Sequence, residues 1–472
     1  MIMASSSLVC AGCGLVPPAF DEQPYPFRCA RADDRDDVDH VIRRVLDPAH
    51  LAWPGGRERN PFVRYRRLLH SYHAARSRGM SDADLVALVE RLDGAVAAVD
   101  GRGFVATPFE SQGALAGALG LEAGRVWVKD ETGNVSGSHK ARHLMGVLMA
   151  LQIVEALGLR PARAGPLVIA SCGNAALAAA VLARAAAREL QVFVPMWAEA
   201  PVVAELERLG ARVTACPREP GATGDPCYRR FQDALATGGV PFCCQGPDNG
   251  LTIEGGETVA WEMVDELGDR SIDRLFVQVG GGALASACAQ GFADAARLGG
   301  ARTVPRLHAV QTRGGFPLAR AYDRLAQAIA GRLGLPAVTS AGPAARADAI
   351  LARADAPVVG GALHDAATHR SAYMRPWETE PRSIAHGILD DETYDWMAVC
   401  EGMIRTGGYP VVVEEDTLRR ANALARETTG IDVDHTGSAG LAALMQLVAG
   451  GDDLRGETIG LLFTGVRRSQ SR

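Results

Sequence analysis

Val126-Trp-Val-Lys129, then Ser136-Gly-Ser138-His-Lys140-Ala-Arg142 opening the apolar run 141–157, decide how this chain folds. A β-branched run that passes through a small-residue loop into a helical run reads as one strand–loop–helix unit. A lysine at that junction sits near the positive end of a helix dipole and partly out of water, and both effects favour the neutral amine that a Schiff base needs. Taken alone, such a lysine is more often a solvated surface group.

The same rhythm runs outward from this unit. The run PLVIA at 166–170 precedes a helical stretch at 175–189, and QVFVP at 191–195 precedes another at 200–209. RVTA (212–215), RLFVQV (274–279), RLHAVQ (306–311), PVVV (410–413) and TIGLLF (458–463) follow. Strands alternating with helices predict an α/β fold with mainly parallel sheets covered on both faces. Upstream, Ser81 and Asp84 form a capping-box pattern, and Leu85, Leu88, Val89, Leu92, Val96 and Val99 recur at helical spacing until Gly101. The stretch 337–382, rich in Ala, Pro, Gly and Arg, is expected to hold short helices that cap the site or an oligomer contact.

Composition narrows the function. The 472 residues allow two or three domains, and a net charge of −6 with scattered charges gives no basic face for nucleic acid. No apolar run reaches 18 residues, so no membrane span is expected. The first ten residues lack a basic start and a full apolar core, which argues against a secretory signal. Ten cysteines spread along a long chain suggest reduced thiols in a cytoplasm. Cys10, Cys13 and Cys29 resemble a two-knuckle zinc ribbon whose last position holds Ala32. Three thiolates need a further ligand to close a tetrahedron, so no metal is assigned.

Three further loops carry chemistry. Ser171-Cys-Gly-Asn174 follows a strand and opens a helix, where backbone N–H groups can receive a carboxylate, although Asn and Ser are also common helix caps. Gly280-Gly-Gly282-Ala283 lets successive N–H groups converge into an anion nest suited to a cofactor phosphate. Thr464 closes the last strand, at the end where α/β ligands bind.

In this order, the four segments resemble the fold type II pyridoxal-phosphate enzymes, which include threonine synthase, serine/threonine dehydratase, cysteine synthase and the tryptophan synthase β chain. The resemblance runs from about Asn60 to Gly465. It implies two α/β lobes similar to the tryptophan synthase β chain: a large cofactor domain at 60–165 and 251–472, a small inserted domain at 166–250, and a Cys-containing extension at 1–59. It implies pyridoxal 5'-phosphate bound to Lys140, with His139 beside it. Asn174 would face the cofactor's phenolic oxygen, Gly280, Gly281, Gly282 and Ala283 its phosphate, and Thr464 its pyridine nitrogen. Ser171, Cys172 and Gly173 would take the substrate carboxylate, and 434–440 would form another wall.

Lys140-Ala-Arg142 is nearer the dehydratase pattern than the Lys-Asp-Arg of threonine synthases, and His139 is similar to the tryptophan synthase β chain. Cys172 stands where relatives carry Ser or Thr, and is either a catalytic thiol or a small buried residue. The expected activity is elimination from a β-substituted amino acid. Threonine synthase-type β,γ-replacement on O-phosphohomoserine is the alternative, and a non-catalytic cofactor-binding protein a further one. A homodimer is the family-level expectation.

Overall fold

The computed structural model describes residues 5–20, 22–33, 35–159, 165–218, 224–335 and 342–468. The strands in chain order are β1 (Ser6–Cys10), β2 (Ile42–Leu46), β3 (Phe109–Ser111), β4 (Val126–Asp130), β5 (Leu167–Ala170), β6 (Leu190–Pro195), β7 (Arg212–Cys216), β8 (Val240–Pro241), β9 (Arg274–Gln278), β10 (Arg306–Thr312), β11 (Val411–Val413) and β12 (Ile459–Phe463). One sheet has the order β11-β10-β9-β12-β4-β3, a second the order β7-β6-β5-β8, and β1 pairs with β2. The first two are parallel throughout except for the antiparallel edge strand β3. The mainly parallel α/β architecture is therefore as the alternation of strands and helices implies.

The position of β12 does most to assemble the site. The last strand of the chain lies between β9 and β4, with Ile459 opposite both Val126 and Arg274. All three run in the same direction, so the loops after them open side by side at one edge: β4 leads to Lys140, β9 to Gly280 and β12 to Thr464. Ligands of open α/β sheets bind at that carboxyl edge.

All five residues of β12 are buried, as expected of a central strand covered on both faces. The helix Lys140–Ala156 is buried around most of its circumference, which explains its apolar composition. It crosses the helix Thr252–Leu267 at a glycine pair, where a Cβ on Gly146 would come within 2.9 Å of the Gly255 Cα. Near the start, Ser81 and Asp84 cap the helix Asp82–Asp100 reciprocally, and Gly101 ends it at φ 83°.

The 337–382 segment begins outside the described residues and then forms helices Gly342–Leu351, Pro357–Thr368 and Arg370–Tyr373. These bury Ile350, Val359, Ala362 and Ala366 in the core shared by helices Pro317–Arg332 and Trp396–Thr406. It is the stretch just beyond, at 388–395, that lies against the glycine loop. No helix among the described residues is long and apolar enough to cross a membrane.

Candidate active site

Lys140 is the first residue of its helix and is half-buried. The loop before it is tightly shaped: Ser136 adopts φ 55°, and Ser138 bridges to Gly465. The His139 N–H donates to the Thr464 carbonyl at 3.2 Å. These contacts tie the lysine loop to the end of β12. The Ser138 hydroxyl is buried without a protein partner.

The chain contains only two lysines, Lys129 and Lys140. Lys129 is fully buried, donating to Glu262 Oε2 at 2.5 Å and to the Thr107 carbonyl at 2.7 Å. Burial lowers its pKa against the opposing pull of Glu262. Arg142 shares this buried network, with Nε on Glu131 Oε2 at 2.8 Å and Nη1 on Glu262 Oε1 at 2.6 Å. Burial works against the guanidinium charge, and Glu131 and Glu262 outweigh it, raising its pKa. Two cations face two carboxylates with no water access, so Lys129 is held inside the fold. Lys140, by contrast, is half-buried at the loop–helix junction after β4.

Asn174 opens the helix Asn174–Ala185, whose N-cap, Gly173, offers no side-chain cap. The capping role that Asn and Ser often play is therefore not what they do here. The Asn174 amide instead overlies Gly465, where a Cβ would meet Nδ2 at 2.7 Å, and its Oδ1 accepts from Arg468 Nη2 at 3.2 Å. Arg468 also reaches the Ser136 carbonyl at 2.8 Å, joining the lysine loop to Asn174.

Gln278 orders the floor between these loops. Its Nε2 donates to the Thr464 hydroxyl at 2.6 Å and to the Gly437 carbonyl at 2.9 Å. The 434–440 segment is thus a neighbour of Thr464, and the Asp434 N–H donates to the Gly465 carbonyl at 2.9 Å. Burial pushes the Asp434 carboxyl up to about 6. His139 is buried, and desolvation, reinforced by Lys140, drives its pKa well below the usual range, leaving a neutral ring.

Gly282 sits at φ +98° and begins the 15-residue helix Ala283–Arg297 without a side-chain cap, leaving its first N–H groups for an anion. The Thr393 hydroxyl donates to the Gly280 carbonyl at 2.9 Å, and the Asp395 N–H to the Gly281 carbonyl at 2.9 Å. Asp390 turns its carboxylate to the same loop, close against Gly280 and Gly281. Burial raises Asp390 to about 6 against the pull of Lys140, and raises Asp395 to about 8 against the Gly246 N–H.

Ser171, Cys172 and Gly173 lie at the end of β5, with the Gly173 N–H directed at the Ser171 hydroxyl at 3.5 Å. Cys172 is half-buried, and desolvation, followed by the nearby Asp225, pushes its thiol up to about 11. It therefore holds its proton at neutral pH. A cavity of about 710 Å³, lined by Arg44, Glu254, Ser286, His364 and Met397 among others, touches these segments only at Asp395.

A lysine loop, a glycine nest and a hydroxyl at the ends of neighbouring parallel strands, with a second parallel sheet supplying an Asn loop, define a fold type II pyridoxal-phosphate enzyme. Residues 102–348 match the family model described as pyridoxal-phosphate dependent enzyme, and the chain belongs to that family, whose cofactor is pyridoxal phosphate. Threonine synthase from Methanosarcina acetivorans is 25% identical over 76% of this chain and 74% of its own. Threonine synthase from a Synechocystis species is 31% identical over 49% of this chain and 57% of its own. Among solved structures, maize serine racemase superposes with a TM-score of 0.56 at 17% identity, covering 81% of this chain and 94% of its own. A threonine deaminase from T.th. gives 0.55 at 20% identity, covering 83% and 100%. At these identities, the structural matches carry the fold alone.

Proposed function

We propose that this enzyme is a lyase that eliminates a β-substituent from an amino acid, with Lys140 as the residue that holds the cofactor and moves the Cα proton. The observation that carries this reading is the gathering of Lys140, Asn174, the 280–283 loop and Thr464 around Gln278 and Gly465. The donor set fits pyridoxal phosphate: the glycine nest suits its phosphate, and the buried, unpartnered Ser138 hydroxyl awaits an acceptor. When bound, the cofactor supplies the electron sink for the carbanion.

The protein's residues supply the rest. Backbone N–H groups of Gly280, Gly281, Gly282 and Ala283 hold the phosphate. Asn174, whose Oδ1 is taken by Arg468, keeps Nδ2 as a donor toward the phenolic oxygen. Because the Thr464 oxygen accepts from Gln278, its own proton is free to be donated to an unprotonated ring nitrogen. A hydroxyl there, where a carboxylate would protonate the ring, moderates the sink and favours elimination over transamination. His139, neutral and buried, packs at the base of the lysine loop. Ser171, Cys172 and Gly173 receive the substrate carboxylate ahead of an uncapped helix N-terminus. Lys140 would hold the cofactor through its side-chain amine, and that amine, when free, would take the Cα proton. Cys172, protonated at neutral pH, serves as a proton donor on the substrate side.

Replacement chemistry of the threonine synthase type is the second reading, favoured by the names of the two sequence relatives. Incubation with a panel of amino acids and O-phosphohomoserine, following ammonia, keto acid and phosphate, separates the two. Ammonia with keto acid from a β-substituted substrate supports elimination. Threonine and phosphate from O-phosphohomoserine, without keto acid, would replace it. A homodimer in a reducing cytoplasm, in keeping with ten free cysteines, completes the proposal, with light scattering as the test of assembly.

A further inference from the structure

The sequence offers three thiolates for a tetrahedral site and breaks off at Ala32, where the fourth would stand. The fold supplies the missing donor from elsewhere. His40 reaches back across the knuckle, and its Nδ1 lies 3.4 Å from Cys10 Sγ. Cys13 Sγ lies 3.6 Å from Cys29 Sγ, and all four donor atoms fall within 4.8 Å of one another. A tetrahedron built on Zn–S of about 2.3 Å and Zn–N of about 2.05 Å has edges of about 3.8 Å between sulfurs and about 3.6 Å between sulfur and nitrogen. The two measured edges match those values to within a few tenths of an ångström. A disulfide between Cys13 and Cys29 would instead need the sulfurs about 2.05 Å apart.

The surroundings are those of a ligand set. The N–H groups of Gly12 and Cys13 point at the Cys10 sulfur, that of Leu15 at Cys13, and that of Arg31 at Cys29. Such N–H···S contacts stabilise thiolates. On the far side of the imidazole, His40 Nε2 meets Asp36 Oδ2 at 2.9 Å. A carboxylate there fixes the tautomer with the proton on Nε2 and leaves the Nδ1 lone pair facing the sulfurs. Cys10, Cys29 and His40 are buried and Cys13 is partly so, which leaves no open coordination position.

We propose that Cys10, Cys13, Cys29 and His40 bind one structural Zn²⁺, oriented through Asp36. Three thiolates and an imidazole in a closed tetrahedron select zinc and exclude oxygen-preferring cations. The ion pins two loops against the body of the enzyme. Next to Cys29, the Phe27 carbonyl accepts from the Gly250 N–H at 3.3 Å, and the Tyr25 hydroxyl donates to Asn249 at 2.9 Å. Next to His40, Asp39 accepts from Trp396 Nε1 at 3.2 Å and pairs with Arg370 at 3.5 Å. Trp396 follows Asp395, which holds the Gly281 carbonyl. The zinc site is therefore a staple two hydrogen bonds removed from the glycine loop. It stands independently of the elimination reaction.

The test uses the full chain, purified without a polyhistidine tag from zinc-supplemented medium. Elemental analysis should find one zinc per chain, and cobalt exchange should give the ligand-field bands of a tetrahedral thiolate site. Cys13→Ser and His40→Ala should lose the metal. Should those variants fail to fold, Asp36→Asn carries the test: Asp36 is exposed, and the change should weaken zinc binding about 10- to 100-fold with the fold intact. Substoichiometric zinc in the parent, a Cys13–Cys29 disulfide, or zinc retained with parental affinity by both His40→Ala and Asp36→Asn would overturn the proposal.

Discussion

Replacing Asp390 by Asn should change how cofactor affinity depends on pH. The Asp390 carboxylate packs against Gly280 and lies close to Gly281, so it stands on the loop proposed to hold the cofactor phosphate. Its Oδ2 lies 3.6 Å from where a Cβ on Gly281 would be. Burial pushes its pKa up to about 6, so it is neutral below that pH and anionic above it. An anion on the Gly281 N–H would meet the carboxylate at about 5 Å, where one unit charge against another is worth about 3 kcal/mol at an effective dielectric near 20. Screening and rotation of the side chain reduce this, leaving roughly ten- to hundredfold in affinity. The sign is fixed: in the parent, affinity should fall as pH rises through 6, relative to Asp390→Asn. Titrating both apoproteins with pyridoxal phosphate between about pH 5 and 8, by fluorescence, measures the ratio and cancels the cofactor's own titration. Parallel profiles would refute the placement of the phosphate beside Asp390.

Glu262→Gln leaves Lys129 and Arg142 sharing one carboxylate in a site without water, and should cost about 3–5 kcal/mol in urea denaturation. Glu122→Gln, which removes the exposed partner of Arg125, should change stability by less than about 1 kcal/mol. Gly282→Ala forces a side chain into φ +98° against the Thr393 methyl and should cost about 1–3 kcal/mol, with a rise in the cofactor dissociation constant on titration. Cys172→Ser should fold normally and alter turnover or product ratio, since a proton donor of different acidity changes how the carbanion partitions. Identical rates and products across pH 6–10 would make Cys172 a packing residue.

What the sequence made legible were segments whose physics is local. The strand before Lys140, the uncapped loop before Asn174 and the glycines before Ala283 each announce themselves within about ten residues, because strand, loop and helix pattern there are contiguous. The order of the sheet was not local: nothing in residues 458–463 says that β12 inserts between β9 and β4, although that insertion brings Thr464 to His139 and the lysine loop. Residues that act through distant contacts were equally hidden. Gln278 looks like the end of a strand, Asp390 and Asp395 like part of an acidic loop, and Arg468 like a basic tail. His40 sits 11 residues after Cys29, beyond a run of aspartates and outside the spacing of a second knuckle. One strong signal lies in the composition itself: with two lysines in 472 residues, the burial of Lys129 in the β4 strand alone singles out Lys140.

The central claim is that Lys140 holds the cofactor, and borohydride reduction of the holoenzyme followed by peptide mapping tests it most directly. The account predicts one modified site, Lys140, and loss of the bound-cofactor absorbance in Lys140→Ala with the fold retained. Modification at Lys129 or at the amino terminus, or unchanged absorbance in Lys140→Ala, would contradict it.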